Sequence, residues 1–402
     1  MNLKWIWLLP LVFPMAAQSE EVDALAINPE LSLPQVLQKT FERNPQRHVL
    51  QALDGEVQAR YIHARGMLPL APAIVVRHQN DTVGSGRGER EWEAELELPV
   101  WLPGQRAARE NVAQEAQSDL AASREGLMLQ MAGVLRDSVW DVGMNTGNVE
   151  LAELRLRTAQ ALQHAGELAK TDLMLAENET LRAQTTLLRA QAELRHAQHR
   201  YTVLTGLKEI PAKIEEPKSD QSGLSEGHPL LREADAKIAL ARNERDLVRV
   251  ERRENPQLLV GARSQRGAFD NQYNDSIGFK LRIPLDSAVR SAPMLAAAET
   301  NISRFVSERE RLHYVMETAL HEAEHNLEVT RAELEVVTRQ NELAQENMRL
   351  AQKAFDLGET DLVHLMRVQA LAYEAERALA SRKIQLQWDI ARYNQAVGVL
   401  PQ

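Results

Sequence analysis

Eight consecutive residues decide the fold of this chain: Glu91, Trp92, Glu93, Ala94, Glu95, Leu96, Glu97 and Leu98. Successive side chains of a strand point to opposite faces, so this alternation places the glutamates on one face and the apolar side chains on the other. The same period returns where Ile277, Phe279, Leu281 and Ile283 alternate with Ser276, Gly278, Lys280 and Arg282. Turn-rich segments at 83–88 and 267–271 precede the two stretches, so each stretch predicts one β-hairpin.

The two hairpins belong to two copies of one unit. Leu98-Pro99-Val100 corresponds to Ile283-Pro284-Leu285, which lies 185 residues later (284−99). Pro45 and Pro229 are 184 apart (229−45), and Lys170-Thr171-Asp172-Leu173 precedes Glu359-Thr360-Asp361-Leu362 by 189 (361−172). This nearly constant spacing predicts a duplicated unit with small insertions.

Each copy has the pattern of a helix, a hairpin, a long helix and a second helix. Helical sequence covers 33–67 and 228–254, the hairpins cover about 70–101 and 256–285, the long helices cover about 105–169 and 294–357, and the second helices cover 172–204 and 361–397. At 1.5 Å per residue a long helix extends on the order of 100 Å, more than one globular core requires. The predicted domains are a first repeat over 18–207, an irregular linker over 208–227 and a second repeat over 228–402.

The N-terminal residues and the composition restrict the location and the partners of the protein. Residues 1–17 combine Lys4, an apolar run from Trp5 to Phe13 and Ala16-Ala17, which predicts a secretory signal peptide. No apolar run of about 18 residues follows it, so the sequence predicts no transmembrane helix. A net charge of −10 argues against nucleic acid as a partner, and the lack of cysteine excludes disulfides and thiolate metal sites.

Two hairpins from one chain leave strand edges without partners. Four strands form an open sheet, with both edges and one apolar face in water. Strands from other subunits would close such a sheet, with its apolar face toward lipid and its polar face toward a lumen. Two subunits would supply eight strands and three subunits would supply twelve.

With this architecture the chain resembles the TolC-type outer-membrane efflux duct family. The residues that carry the resemblance are Leu68-Pro69-Leu70-Ala71-Pro72, Leu98-Pro99-Val100-Trp101-Leu102-Pro103 and the two Thr-Asp-Leu segments at 171–173 and 360–362. Gly104-Gln105-Arg106, followed by Ala107-Ala108-Arg109, is most similar to the CzcC-like branch, which is associated with heavy-metal exporters.

The resemblance implies a mainly α fold with a small β part. Three copies of the duplicated unit would form a 12-stranded β-barrel in the outer membrane of a Gram-negative cell, continued by an α-helical barrel across the periplasm. The protein would be the passive duct of a tripartite, RND-type efflux system, together with a periplasmic adaptor (membrane fusion) protein and an inner-membrane pump. Heavy-metal cations are one substrate class that the resemblance implies.

The resemblance and the strand pattern together predict three groups of functional residues. The periplasmic gate or tip would contain Asp172, Asp361, His364, Thr171 and Thr360. The barrel lumen would contain Glu91, Glu93, Glu95, Glu97, Lys280 and Arg282. The lipid-facing surface would contain Trp92, Leu96, Leu98, Phe279, Leu281 and Ile283. The excess of glutamates over basic residues in the lumen predicts a modest cation preference.

A purely local interpretation of the tip residues stays open. Thr171 and Thr360 are of a type that caps helix N-termini, and an aspartate in the first turn complements the helix dipole. In that case these residues would end helices without controlling passage through a channel.

One motif favours a different class of protein. His321-Glu322-Ala323-Glu324-His325 matches the zinc-peptidase signature His-Glu-x-x-His. It lies in a long glutamate-rich helix without the rest of a peptidase signature, so the sequence predicts no enzyme, no catalytic residue, no metal site and no cofactor. A soluble periplasmic coiled-coil or adaptor-like structural protein is the alternative function, and the apolar faces of the strands argue against it.

Overall fold

The computed structural model describes residues 24–164 and 170–402; the predicted signal peptide at 1–17 lies outside them. In chain order the elements are β1 (Ala26–Asn28), α1 (Leu33–Arg43), α2 (Gln46–Arg65), β2 (Ala73–Asn80), β3 (Arg90–Pro99), α3 (Gln105–Gln163), α4 (Lys170–Thr205), β4 (Glu209–Pro211), α5 (Pro229–Val250), β5 (Gln257–Arg266), β6 (Asn274–Arg282), α6 (Ala288–Asp356) and α7 (Leu362–Ala396). Helix, two strands, long helix and second helix therefore occur in this order in each half of the chain.

The long helices dominate the molecule. Helix α3 contains 59 residues and α6 contains 69, which correspond to lengths of about 90 and 100 Å. Helix α6 begins at Ala288, earlier than the predicted start near Met294, and includes Pro293. Pro293 is the sixth residue of α6, so its missing amide removes the bond to the Val289 carbonyl, and the helix continues past it.

Two predictions from the sequence were wrong in detail. The predicted helix over 33–67 is two helices, because Asn44 precedes Pro45 and adopts an extended backbone with ψ 128°. The predicted irregular linker contains β4, which pairs in parallel with β1 from the N-terminal segment. The hydroxyl of Tyr201 donates to the backbone oxygen of Glu209 at 2.9 Å and thereby attaches this small sheet to α4.

The larger sheet has the strand order β2-β3-β5-β6 with antiparallel pairing throughout. Strands β3 and β5 each contain ten residues, the length of a membrane-spanning β-strand. Within the described residues β2 and β6 each pair on one side only, so both edges of the sheet are open.

The helices form a second layer, which also has outer members that contact a neighbouring helix on one side. Next to the sheet the contacts follow the order α2-α3-α5-α6, and toward the other end they follow α4-α3-α7-α6. Helix α6 and either α2 or α4 are therefore the outer members of each group. In the part of the chain that the structure describes, no helix combines the length and the apolar character needed to cross a membrane.

The best-packed region lies near the middle of α3, where both halves meet the linker. Leu135 and Val139 of α3 are buried against Val36 of α1, Tyr201 of α4 and Ile210 of β4. Beside this cluster the Arg136 guanidinium forms a buried ion pair with Glu216, at 2.6 and 2.8 Å. Arg136 also donates to the Gln395 side chain and to the Val399 carbonyl, so the end of the second repeat is attached here.

Candidate functional site

The strand register places five of the predicted lipid-facing residues on one face of the sheet, namely Trp92, Leu96, Leu98, Phe279 and Leu281, and Ile283 follows the last residue of β6. Ile74 pairs with Leu96, Leu96 with Val260, and Val260 with Phe279, which gives one apolar row across the four strands. Trp92, Phe279, Leu281 and Ile283 are exposed, and Leu98 is half-buried. Strand order and alternation thus produce an apolar surface that crosses all four strands, and it ends at the row His78–Trp92–Ser264–Asp275, where polar side chains join Trp92 on the same face.

The opposite face is polar, and three of its four glutamates, Glu91, Glu93 and Glu95, form ion pairs. The Lys280 ammonium lies 2.7 Å from Glu93 and 2.6 Å from Glu95. Arg263 holds Glu91 at 2.9 and 3.0 Å. The glutamate side chains are only 12–18% exposed, because the basic side chains of the neighbouring strands cover them.

The register adds two basic residues that the sequence analysis did not assign to this face. Arg77 pairs with Glu93 across strands, and Arg263 pairs with the same residue from the other side. The polar face therefore carries four acids, Glu91, Glu93, Glu95 and Glu97, and four bases, Arg77, Arg263, Lys280 and Arg282. The excess of acidic residues that predicted cation preference is not present on this face.

The turn segment Gly104-Gln105-Arg106 joins the sheet to the helices. Gly104 has φ 77°, a left-handed conformation that glycine adopts without steric cost. Gln105 is buried and donates to Glu251 at 2.8 Å, while its oxygen accepts from Asn255 at 2.6 Å. Arg106 donates to the backbone oxygens of Ala64, Arg65 and Gly66, where α2 ends. The motif that resembles the CzcC-like branch thus has a structural role in this chain.

The outer helices carry exposed apolar stripes. On α6 the exposed residues recur at intervals of seven or fourteen, with Glu322 at the intervening position; they are Val315, Val329, Val336, Leu343 and Leu350, followed by the C-cap Leu357. On α4 the exposed residues Met174, Leu181 and Leu188 recur at intervals of seven. A seven-residue repeat of apolar side chains is the pattern by which one helix packs along another. The sequence analysis missed these stripes because it did not separate the inner from the outer faces of the helices.

The turn between α6 and α7 is tightly organised. Gly358 adopts φ 72°, and the backbone amides of Gly358 and Glu359 donate to Phe355 and Ala354, which closes the C-terminus of α6. Asp361 is the N-cap of α7, and its carboxylate accepts from the His364 amide at 2.7 Å. The local interpretation that made Thr360 the cap is therefore wrong, since Asp361 itself caps the helix.

The two predicted tip segments are not equivalent. Helix α4 begins at Lys170, so Thr171 and Asp172 lie inside its first turn, and Thr171 is not its N-cap. Thr171 is exposed and Asp172 is half-buried. Asp361 and His364 are in direct contact, whereas Asp172 belongs to the other helical pair.

A cavity of about 350 Å³ lies between the two helical pairs near this end. Its wall includes Met348 and Tyr373 on one side and Arg155 and Glu179 on the other. The Arg155 guanidinium bonds to Glu179 at 2.7 Å and lies 4.9 Å from the centre of the Tyr373 ring. Arg155 is thus a polar bridge between the two pairs.

The zinc-peptidase motif lies on an exposed face of α6. The rings of His321 and His325 are nearly parallel, with centroids 6.5 Å apart. Within residues 24–164 and 170–402 no three histidine, aspartate or glutamate side chains form a group that could hold a metal ion.

Comparison with solved structures establishes the fold. The sequence matches no protein-family model, and a search of curated proteins gives no match. The Campylobacter jejuni CmeC outer membrane channel has a TM-score of 0.70 and 12% identity, covering 98% of this chain and 95% of that chain. The Neisseria gonorrhoeae MtrE outer membrane channel in its open state has a TM-score of 0.69 and 15% identity, covering 94% and 91%. The outer membrane protein VceC of Vibrio cholerae has a TM-score of 0.68 and 14% identity, covering 91% and 96%. The TolC-type fold that the sequence predicted, mainly helical with a small sheet, is confirmed.

Proposed function

We propose that this chain, which has the TolC-type fold, is the outer-membrane channel subunit of a tripartite efflux system. The observation that carries the proposal is that every layer of the molecule is open at both edges. Among the described strands β2 and β6 each lack a partner on one side, and the helical layer presents apolar stripes on α4 and α6. Copies of the same chain complete all of these edges at once, because edge β6 would meet edge β2 and the α6 stripe would meet the α4 stripe.

Three copies fit a duct better than two. Three copies of a four-stranded sheet give a barrel of twelve strands, and two copies give eight. An eight-stranded barrel has an interior that side chains fill, whereas wider barrels leave an aqueous lumen. We therefore propose a homotrimer with the polar face of the sheet inside and the apolar face against lipid.

The location and the partners follow from the same assembly. A barrel with an apolar exterior belongs in the outer membrane, and helices of about 90 to 100 Å extend from it into the periplasm. The tip at Asp172 and Asp361 is then the end that faces a periplasmic adaptor and an inner-membrane pump. The resemblance of Gly104-Gln105-Arg106 to the CzcC-like branch favours heavy-metal cations as the exported substrate.

The soluble coiled-coil alternative is disfavoured by the apolar face of the sheet. Phe279 is 74% exposed and Ile277 is 77% exposed in the isolated chain. A soluble protein gains nothing from a continuous surface of this kind, whereas lipid contact accounts for it.

Two measurements test the proposal. The mature chain should fractionate with the sarkosyl-insoluble outer membrane, and native mass spectrometry of the detergent-solubilised protein should give a trimer. A folded monomer, or recovery in the soluble periplasmic fraction, would contradict the channel and favour the coiled-coil alternative. Deletion of the gene together with a metal-resistance assay would test the substrate class separately.

A further inference from the structure

Lys280 crosses two strands of the sheet to reach its partners. It lies on β6, and Glu93 and Glu95 lie on β3, with β5 between them. Neighbouring strands are about 4.8 Å apart, so the ion pair extends across roughly 10 Å of sheet. Both carboxylates contact one ammonium nitrogen, at 2.7 and 2.6 Å.

Two glycines make this path possible. Gly261 and Gly278 pair with each other across β5 and β6, and Gly261 also pairs with Glu95. A Cβ at Gly261 would lie 2.7 Å from the Ala94 carbonyl oxygen and 2.7 Å from Cγ of Glu95, so the Glu95 side chain lies directly over the glycine backbone. Nothing lies within 4 Å of a Cβ built at Gly278, which leaves the space beside Lys280 open.

The direction of Lys280 is specific. Its register partner is Leu259, and Leu259 pairs in turn with Glu97, so the straight path across the sheet leads from Lys280 over a leucine to Glu97. Lys280 instead contacts Glu93 and Glu95, over the glycines. In the described part of the chain Glu97 has no ion-pair partner within 4 Å.

We propose that Lys280 is a tethered counter-ion that prevents the Glu93 and Glu95 pair from attracting permeating cations. The inference rests on the proposed channel function, in which this face lines the lumen. The four acids and four bases of one subunit then leave the barrel wall neutral, and on this face of the described strands Lys280 is the one base that pairs with two acids. Removal of Lys280 uncovers two carboxylates that already lie close enough to share one cation.

The main test measures ion selectivity in planar bilayers. Lys280→Gln is compared with Arg282→Gln, which removes the same charge from the same strand and face. Within the described residues the Arg282 side chain bonds only to Gln257, at 3.4 Å. Lys280→Gln should raise the cation-to-anion permeability ratio about twofold, and Arg282→Gln should raise it less, because close fixed charges dominate in a narrow lumen. Lys280→Arg, which keeps the charge, should keep the wild-type permeability ratio. Equal shifts in the two Gln variants, or no shift in Lys280→Gln, would overturn the proposal.

A second measurement does not require a conducting channel. Electron paramagnetic resonance of free Mn²⁺, titrated with the detergent-solubilised full-length mature protein, should show Mn²⁺ binding in Lys280→Gln that is absent in wild type and in Arg282→Gln. Carboxylate oxygens are suitable ligands for this ion. Adding Glu95→Gln to Lys280→Gln should abolish the binding, and Mn²⁺ binding that is equal in all variants would overturn the role of Lys280. A protein that forms no pore in bilayers would contradict the proposed function, and the titration would still decide the role of Lys280.

Discussion

The inner seam, at which the two halves of the chain meet, differs in chemistry from the outer edges of the molecule. We define the inner seam as the contacts of β3 with β5 and of α3 with α5 and α7. It contains directed polar contacts, such as Gln395 to the Leu129 carbonyl at 2.8 Å and Trp388 to Asp137 at 2.8 Å. The outer edges on α4 and α6 instead carry apolar side chains at regular intervals.

The difference indicates how each contact forms. The inner seam joins parts of one chain, so polar partners meet at a fixed register and bury few unpaired groups. In the proposed trimer the outer edges would join separate copies, and a regular apolar stripe would supply association energy over a long distance without any buried charge. Four predictions test this distinction, in order of decreasing expected effect.

The first prediction concerns the buried ion pair between Arg136 of α3 and Glu216 of the linker, which lies beside the inner seam; Arg136 also takes part in that seam by donating to Gln395 of α7. Arg136→Ala leaves the Glu216 carboxylate buried without its partner, because both side chains are only 2% exposed. We expect a loss of about 3–5 kcal/mol in the free energy of unfolding, measured by denaturant titration. Arg392→Ala, which removes a half-exposed partner 3.6 Å from Asp137, is the control and should cost less than about 1 kcal/mol. Equal losses for both variants would show that the seam does not depend on Arg136.

The second prediction concerns acid sensitivity at the start of the second repeat. His228 is buried, caps α5 by accepting from the Leu230 amide at 3.2 Å, and leaves no room for a Cβ at Gly398. Burial lowers the pKa of His228 from 6.5 to about 4. The unfolded chain therefore takes up the proton first as the pH falls, and stability that is fully present above pH 6.5 is lost as the pH decreases toward 4.

The size of this acid effect can be measured with one variant. The lowered pKa of His228 corresponds to at most about 3 kcal/mol between neutral pH and pH 4. His228→Asn keeps a side chain that can cap the helix but does not titrate, so its free energy of unfolding should depend less on pH over this interval. Parallel pH profiles for wild type and variant would assign the acid sensitivity to other groups.

The third prediction disrupts an outer edge. Leu343→Glu places a charge in the middle of the exposed α6 stripe, where the proposed trimer would bury it. Burial of an unpaired polar group costs about 2 kcal/mol of association free energy at each contact between subunits. The trimer fraction in native mass spectrometry should therefore fall, while the helical content by circular dichroism stays the same. Arg331→Glu is the control, because Arg331 is exposed on the same helix away from the stripe. A trimer that tolerates Leu343→Glu as well as Arg331→Glu would exclude the α6 stripe from the subunit contact.

The sequence predicted the helices and strands better than it predicted which residues of different elements contact each other. The alternation of apolar and polar residues at 91–98 was sufficient to predict β3 and the two faces of the sheet, because such alternation indicates a strand with one apolar and one polar face. The pairing of Arg77 and Arg263 with the glutamates could not be predicted, since it depends on the register between strands. Strand β4 was missed because three residues in a proline-rich segment form a strand only when β1 is beside them.

The candidate tip shows the same limit. The sequence predicted Asp172 and Asp361 as twins, and the two segments do share Thr-Asp-Leu. Asp361 is the N-cap of α7, whereas Thr171 and Asp172 already have helical backbone within α4, so of the two aspartates only Asp361 is a cap. A helix start depends on the conformation of the preceding turn, which the shared residues do not specify.

The last prediction separates the charge of Asp361 from its capping role. The Asp361 carboxylate accepts from the His364 amide at 2.7 Å, so Asp361→Ala should cost about 1 kcal/mol of helix stability, whereas Asp361→Asn keeps the acceptor and should cost a few tenths. In the proposed trimer three such carboxylates would lie near the axis and repel one another. If their charge controls opening, Asp361→Asn alters single-channel conductance in planar bilayers and the entry of large antibiotics as much as Asp361→Ala does, although it retains the cap. Glu333→Gln, which removes a mid-helix charge paired with Arg382 at 2.7 Å, is the control and should leave both properties unchanged. Wild-type conductance in Asp361→Asn, with a change only in Asp361→Ala, would show that this aspartate acts on the channel through the helix start alone.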